Sequence, residues 1–155
     1  MSKQIVAIDG PAGSGKSSVS KQAARSLGWG YLDTGAAYRA LTWASQHLEG
    51  FEVAELPDKD LRQQFDYSIS TDPDNYWVRV GETDVTEAIR SAEVAEAVSA
   101  VASVPSVREY MRWLTRSEVE QCDRPGIVVE GRDITTVVLP DAQTRLLLTA
   151  SEEVR

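Results

Sequence analysis

Gly10-Pro11-Ala12-Gly13-Ser14-Gly15-Lys16-Ser17 fills every fixed position of the phosphate-binding pattern G-x-x-x-x-G-K-[ST]. Glycines let the main chain turn tightly, so that several N–H groups converge on phosphate oxygens at the positive end of the helix that follows. Lys16 is placed to reach the outer phosphates of a nucleoside triphosphate, and the Ser17 hydroxyl to ligate the Mg²⁺ that travels with it. With glycine near 7% of ordinary sequence, a chance match in a chain of this length is on the order of one in a hundred. A dinucleotide-binding turn fits less well, because the glycines run G-x-x-G-x-G and not G-x-G-x-x-G.

The motif needs a strand before it and a helix after it, and the neighbouring residues supply both. Ile5-Val6-Ala7-Ile8 reads as a buried parallel strand, and Val19, Ala23, Ala24 and Leu27 recur at helical spacing. Gly28 is a helix stop, and Gly30-Tyr31-Leu32 a second short strand. Asp33 and Thr34 are cap candidates for a helix that puts Tyr38, Leu41, Ala44 and Leu48 on one face and Arg39 one turn in, near a second anion position. From Gly50 the period changes. Phe65, Tyr67 and Ile69 alternate, Asp72-Pro73-Asp74-Asn75 makes a turn, and Tyr76, Val78 and Val80 alternate again, which reads as an antiparallel hairpin with a third short strand over 83–86. Such an excursion is an insertion in a parallel α/β core. Val94, Val98, Val101 and Ala102 form a helix that must stop before Pro105, and a second helix with Val107, Tyr110, Met111 and Leu114 on one face runs to about Gln121. Ser99 and Arg108 fall near the junction of these two helices. Ile127-Val128-Val129 is a buried strand ending in Glu130-Gly131-Arg132-Asp133, its carboxyl end on the crevice of the glycine loop. Arg145 to Thr149 is a further parallel strand, and Ser151 caps a last helix.

At 155 residues the chain is expected to be one α/β domain with an insertion. The core takes 1–49 and 106–155 and the insertion takes 50–105. Sixteen Lys and Arg stand against 24 Asp and Glu, a net charge of −8, which disfavours a polymeric nucleic acid as partner and leaves a single nucleotide open. One cysteine, Cys122, permits no intrachain disulfide and indicates a reducing compartment. No secretory or spanning apolar segment occurs, so the expected location is the cytoplasm with no membrane partner. His47, the only histidine, has no second His and no nearby Cys with which to build a metal site.

Four stretches, taken together, resemble the bacterial cytidylate kinases. They are Ile8 to Ser17, Tyr31-Leu32-Asp33-Thr34-Gly35-Ala36-Ala37-Tyr38-Arg39, Val107-Arg108-Glu109, and Glu130-Gly131-Arg132-Asp133-Ile134 leading to Val137-Val138-Leu139-Pro140-Asp141-Ala142. The glycine loop alone indicates only a P-loop protein. The pairing of L-D-T-G-x-x-Y-R with G-R-D-I is far more specific. The resemblance implies a P-loop three-layer fold with a mostly parallel sheet, in which the residues from about 50 to 105 form a monophosphate-binding region of antiparallel strands and helices. It implies transfer of the γ-phosphoryl of ATP to CMP or dCMP with Mg²⁺. The loop residues Gly10, Pro11, Ala12, Gly13, Ser14, Gly15, Lys16, Ser17 and Ser18 would bind ATP. Positions matching Ser99, Arg108 and Asp133 contact the cytosine, those matching Arg39 and Arg132 hold the acceptor phosphate, and Thr34 and Tyr38 line the same pocket. Lys16, Arg39 and Arg132 would then be the catalytic cations, and Glu130 is offered as an acid that orients Mg²⁺-bound water.

The chemistry of these residue types is consistent with that assignment. A carboxylate such as Asp133 accepts from the cytosine N4 amino group, which uracil lacks. Guanidiniums suit phosphate because they are planar, always charged and bidentate. Thr135 stands where the family usually has glycine after G-R-D-I. The family continues past the position of Arg155 into an arginine-bearing lid, a fifth parallel strand and a terminal helix. The chain therefore reads as a fragment with poor turnover, its 145–149 strand an edge open to association, although the intact enzyme is expected to be a monomer. Other P-loop small-molecule kinases, a nucleotide-binding fragment without catalysis, and a GTP-dependent switch are the alternatives. The last lacks an N-K-x-D guanine-reading stretch.

Overall fold

The structure is a computed structural model that describes residues 3–10, 16–131 and 142–147. It divides into two compact units, one of Met1–Gly35, Thr71–Tyr76 and Thr115–Arg155, the other of Ala36–Ser70 and Trp77–Leu114.

The first unit is built on four parallel strands: β1 (Gln4–Asp9), β2 (Gly30–Asp33), β6 (Gly126–Gly131) and β7 (Thr144–Leu147), in the order β2-β6-β1-β7. Every residue of β6 is buried, and its middle is the apolar run Ile127-Val128-Val129 because it has a strand on each side. Its register sets Val128 opposite both Val6 and Tyr31, and Glu130 opposite both Ile8 and Asp33. Helix α1 (Lys16–Leu27) packs on β1, β2 and β6, where Ala24 joins Ile8, Tyr31 and Val128 in one apolar cluster. The crossover from β1 through α1 to β2 has the short loops expected of a parallel unit. Gly28 closes α1 at φ +70°, in the left-handed region that glycine enters without penalty.

The second unit holds most of α2 (Gly35–His47), the one-turn α3 (Leu61–Gln64) and the antiparallel strands β3 (Tyr67–Ile69), β4 (Val78–Val80) and β5 (Thr83–Asp84), in the order β3-β4-β5. Val78 and Val80 are buried and Arg79 between them is exposed, the alternation of a half-buried strand. Helix α4 (Ala92–Ala102) starts on Ser91, whose Oγ accepts from Val94 N–H at 3.3 Å. Helix α5 (Pro105–Gln121) starts on a proline, the first-turn position where the missing N–H costs nothing. The α/β class with a mostly parallel sheet and a small antiparallel insertion is as expected. The two 3₁₀ turns at Val53–Asp58 and Ala88–Arg90 carry no periodic signal in the sequence.

Several details differ from expectation. Val19 and Leu27 are about half exposed, and α1 instead buries Ser20 and Ala24. Small side chains on that face let the helix axis lie close to the sheet, which a search for large apolar residues misses. Leu48 is likewise exposed, whereas Leu41 and Ala44 of α2 are fully buried. Among the described residues strand β7 pairs only with β1, and its residues are exposed, Leu147 at 72%. The expected continuation to Thr149 and the helix capped by Ser151 lie outside the described residues.

Two glycines make a stability test. A Cβ on Gly126 would sit 2.3–2.7 Å from three ring atoms of Trp29, whereas a Cβ on Gly28 meets nothing within 4 Å and suffers only its positive φ. Gly126→Ala is expected to lower unfolding stability by about 2–3 kcal/mol through overpacking against a rigid ring. Gly28→Ala should cost about 1 kcal/mol. Urea titration of both variants checks the order, and a costlier Gly28→Ala contradicts the close approach at Trp29.

Burial pushes the Glu118 carboxyl on α5 up to about 8. Between the ordinary glutamate value near 4.5 and 8, the folded state holds a proton that the unfolded chain has released. Stability from this group therefore falls as pH rises through that window, by at most about 1.4 kcal/mol per pH unit. Unfolding followed at pH 5, 6, 7 and 8 should show a flatter profile in Glu118→Gln than in the unsubstituted chain.

Candidate functional site

The carboxyl ends of β1, β2 and β6 come together in the first unit, and polar groups collect there. Glu130 is the centre. It is 1% exposed, and its Oε1 accepts from Ser17 Oγ at 2.7 Å and from the Tyr31 hydroxyl. A carboxylate in the interior is tolerable only when hydrogen-bond donors replace its water, and these two hydroxyls supply part of that replacement. Its main-chain carbonyl accepts from Thr34 N–H at 3.1 Å and from Thr34 Oγ1 at 2.9 Å. The β2–β6 register sets Asp33 opposite Glu130, so the chain leaving β2 turns directly over the end of β6.

The helix cap at this turn falls to one residue of the expected pair. Asp33 Oδ1 accepts from Gly35 N–H at 3.0 Å, capping α2, while Thr34 spends its hydroxyl on Glu130. Asp33 Oδ2 accepts from the Tyr76 hydroxyl at 3.4 Å. Lys21 Nζ lies 4.9 Å from the Tyr76 ring centroid and 5.6 Å from that of Tyr31, close enough for cation–π attraction to both. Burial first, then the charges of Asp33 and Glu130, raise the Tyr31 phenol far above its ordinary value. Tyr31 therefore stays protonated and acts as a donor.

Among the expected site residues, Gly10, Ser17, Thr34 and Glu130 are gathered at this strand edge. Ser18 is exposed in the first turn of α1, and Lys16 opens that helix. In the second unit, Tyr38 and Arg39 are half-buried on α2, Ser99 is exposed on α4 and Arg108 is exposed on α5. Pro11, Ala12, Gly13, Ser14, Gly15, Arg132, Asp133 and Thr135 lie outside the described residues. His47 stacks on Trp43 at 4.8 Å, and its Nδ1 lies 3.0 Å from the Trp43 carbonyl oxygen. Tyr31 was not singled out by sequence. Its only signal is a polar tip on an otherwise apolar strand two residues short of an acidic strand end.

Ser17 and Glu130 form a hard-oxygen pair, the donor chemistry that suits Mg²⁺. Mg²⁺ keeps most of its waters and takes few protein ligands, so one exposed hydroxyl backed by one carboxylate fits it. Among the described residues no helix is long and apolar enough to cross a membrane.

A parallel sheet whose first strand runs into G-P-A-G-S-G-K-S and then a helix, with a carboxylate on the adjacent strand bonded to the motif serine, is the arrangement of a P-loop protein. A solved structure from Thermus thermophilus, TT1252, shares the fold at TM-score 0.51 and 21% identity, covering 99% of this chain and 69% of that one. The family model described as Cytidylate kinase matches residues 6–155. The cytidylate kinase of Streptomyces avermitilis is 47% identical over 97% of the chain and 65% of its own length. That of Rhodococcus opacus is 49% identical over 99% of the chain and 66% of its length. The chain belongs to the cytidylate kinase family, and it spans about two thirds of the length of these relatives.

Removal of the central carboxylate should be costly. Glu130→Ala deprives the buried Tyr31 hydroxyl of its carboxylate acceptor and opens a cavity, for an expected loss of about 2–3 kcal/mol. Ser17→Ala, at an exposed position, should cost less than about 1 kcal/mol. Urea midpoints of the two variants test the contrast, and equal losses would mean that Glu130 is not held as described.

Proposed function

We propose that the protein containing this chain transfers the γ-phosphoryl of ATP to CMP or dCMP, giving ADP and CDP or dCDP. The observation that carries this reading is the Ser17–Glu130 hydrogen bond at the mouth of the glycine loop, in a chain of the cytidylate kinase family. Glycine-loop amides from Gly10 to Gly15, with Lys16, Ser17 and Ser18, hold the ATP phosphates. The Ser17 hydroxyl would hold Mg²⁺, with Glu130 acting through water, and the ion would supply charge neutralisation at the phosphates.

The acceptor side is proposed to use Arg39 and Arg132 as guanidinium forks on the CMP phosphate, with Thr34 and Tyr38 lining the pocket. Ser99, Arg108 and Asp133 read the base, Asp133 by accepting from the cytosine N4 amino group. No general base is required. A phosphate monoester with a second pKa of about 6 is largely dianionic at neutral pH and attacks as it stands. Catalysis then consists of alignment and charge neutralisation by Lys16, Arg39 and Arg132. In this reading 50–105 is the monophosphate-binding insertion, the location is the cytoplasm, and the partners are nucleotides rather than polymeric nucleic acid.

Calorimetric titration with CMP, dCMP, UMP and AMP, alongside an ADP-release assay with Mg²⁺ and ATP, tests the assignment. CMP and dCMP are expected to bind and react well ahead of AMP. Asp133→Ala should narrow the preference for CMP over UMP about tenfold or more, from the loss of one base-reading contact. Equal response to all four acceptors would remove the assignment of the base.

A further inference from the structure

The hydroxyl of Tyr31 is not needed by the core. Its ring packs with Ile8, Ala24 and Val128, an apolar setting in which phenylalanine would serve as well. The hydroxyl instead reaches along the sheet. Tyr31 pairs with Val128, and Glu130 lies on the same face two residues further along β6, about 7 Å at the rise of a strand. The tyrosine side chain bridges that gap and donates to Glu130 Oε1, the same oxygen that accepts from Ser17 Oγ at 2.7 Å.

A carboxylate only accepts, so the Ser17 and Tyr31 protons both point at Oε1. With its proton committed, the Ser17 oxygen turns its lone pairs away from Glu130, and the residue is exposed. Glutamate has three side-chain torsions, and the two donors reach it from different elements, α1 and β2. Lose the donor on β2 and Oε1 keeps its hydrogen bond from the residue it is meant to orient but loses the one from the sheet. We propose that Tyr31 is a positioning residue which, by binding Glu130 Oε1, fixes the carboxylate that takes the Ser17 proton and so keeps the Ser17 oxygen turned toward a divalent cation bound with nucleotide. This role rests on the proposed function, since the cation is the one that accompanies ATP or ADP.

The test separates metal from nucleotide. ADP affinity is measured by calorimetry without metal, and Mn²⁺ affinity of the ADP-saturated chain by loss of the free-ion EPR signal. For Tyr31→Phe, metal-free ADP affinity should stay within about twofold, while Mn²⁺ affinity should fall about tenfold, the scale on which partners of metal ligands act. Unchanged Mn²⁺ affinity in a folded Tyr31→Phe chain overturns the role of Tyr31 alone. An unsubstituted chain that binds neither ADP nor Mn²⁺ with ADP overturns the functional reading and this role with it. A second measurement keeps ring and hydroxyl in place. With 3-fluorotyrosine incorporated at position 31, its single ¹⁹F resonance should move when Mg²⁺ is added to the ADP complex and move much less with ADP alone. A resonance indifferent to Mg²⁺ contradicts the proposal.

Discussion

A carboxylate buried at the end of the central strand is the constraint to which the rest of this chain answers. Taking Glu130 out of water is unfavourable by several kcal/mol unless donors replace the lost hydration. The donors come from separate places in the sequence, Ser17 on α1 and Tyr31 on β2, and each must be brought to the same oxygen. That demand sets the order of elements. The strand carrying Glu130 must lie between β1, which leads into the glycine loop and Ser17, and β2, which carries Tyr31, and the observed order β2-β6-β1 is the one that does so.

Placing β6 centrally has its own requirements. A strand with neighbours on both sides and no exposed residue must be apolar along its length, which Ile127, Val128 and Val129 satisfy before Glu130 breaks the run. Its start is held by a close approach, with Gly126 against the Trp29 ring and Arg124 donating to the Trp29 carbonyl at 3.0 Å. Its end is held by Thr34, which donates both main-chain and side-chain hydrogens to the Glu130 carbonyl. The strand is thus pinned to β2 at both ends. The polar end is fixed by hydrogen bonds as the middle is by packing, which a site built on precise placement of phosphate oxygens needs.

Much of this was readable beforehand, and what was missed shares one cause. The strand β1 and the helix α1 on either side of the glycine motif, the Gly28 stop, the hairpin over 65–80 and the helix break at Pro105 all announce themselves through local chemistry: periodicity, a positive φ, a missing N–H. The burial of Ser20 in place of Val19, the 3₁₀ turns and the choice of Asp33 over Thr34 as cap do not. Each depends on which partner lies across space. Thr34 has the chemistry of a cap, but the Glu130 carbonyl lies within its reach, and no pattern in residues 30–40 reveals that. Glu130 was legible as a strand-end acid, whereas its hold on Tyr31 required the parallel register of β2 against β6.

Tyr31 shows why core and site are not separable here. Its ring fills the space between the sheet and α1, and its hydroxyl completes the environment of the acid. An aromatic residue with a polar tip is the economical solution wherever one end of a side chain must be dry and the other must donate a hydrogen bond. A flexible polar side chain at the same place would lose more rotamer freedom and leave the apolar cluster underfilled. The same ring also faces Lys21, whose charge lies within reach of both Tyr31 and Tyr76, so that a cation on α1 is attracted to two aromatic faces. The packing of the sheet and the hydrogen bonding of Glu130 therefore share one side chain, so that a substitution at Tyr31 acts on both.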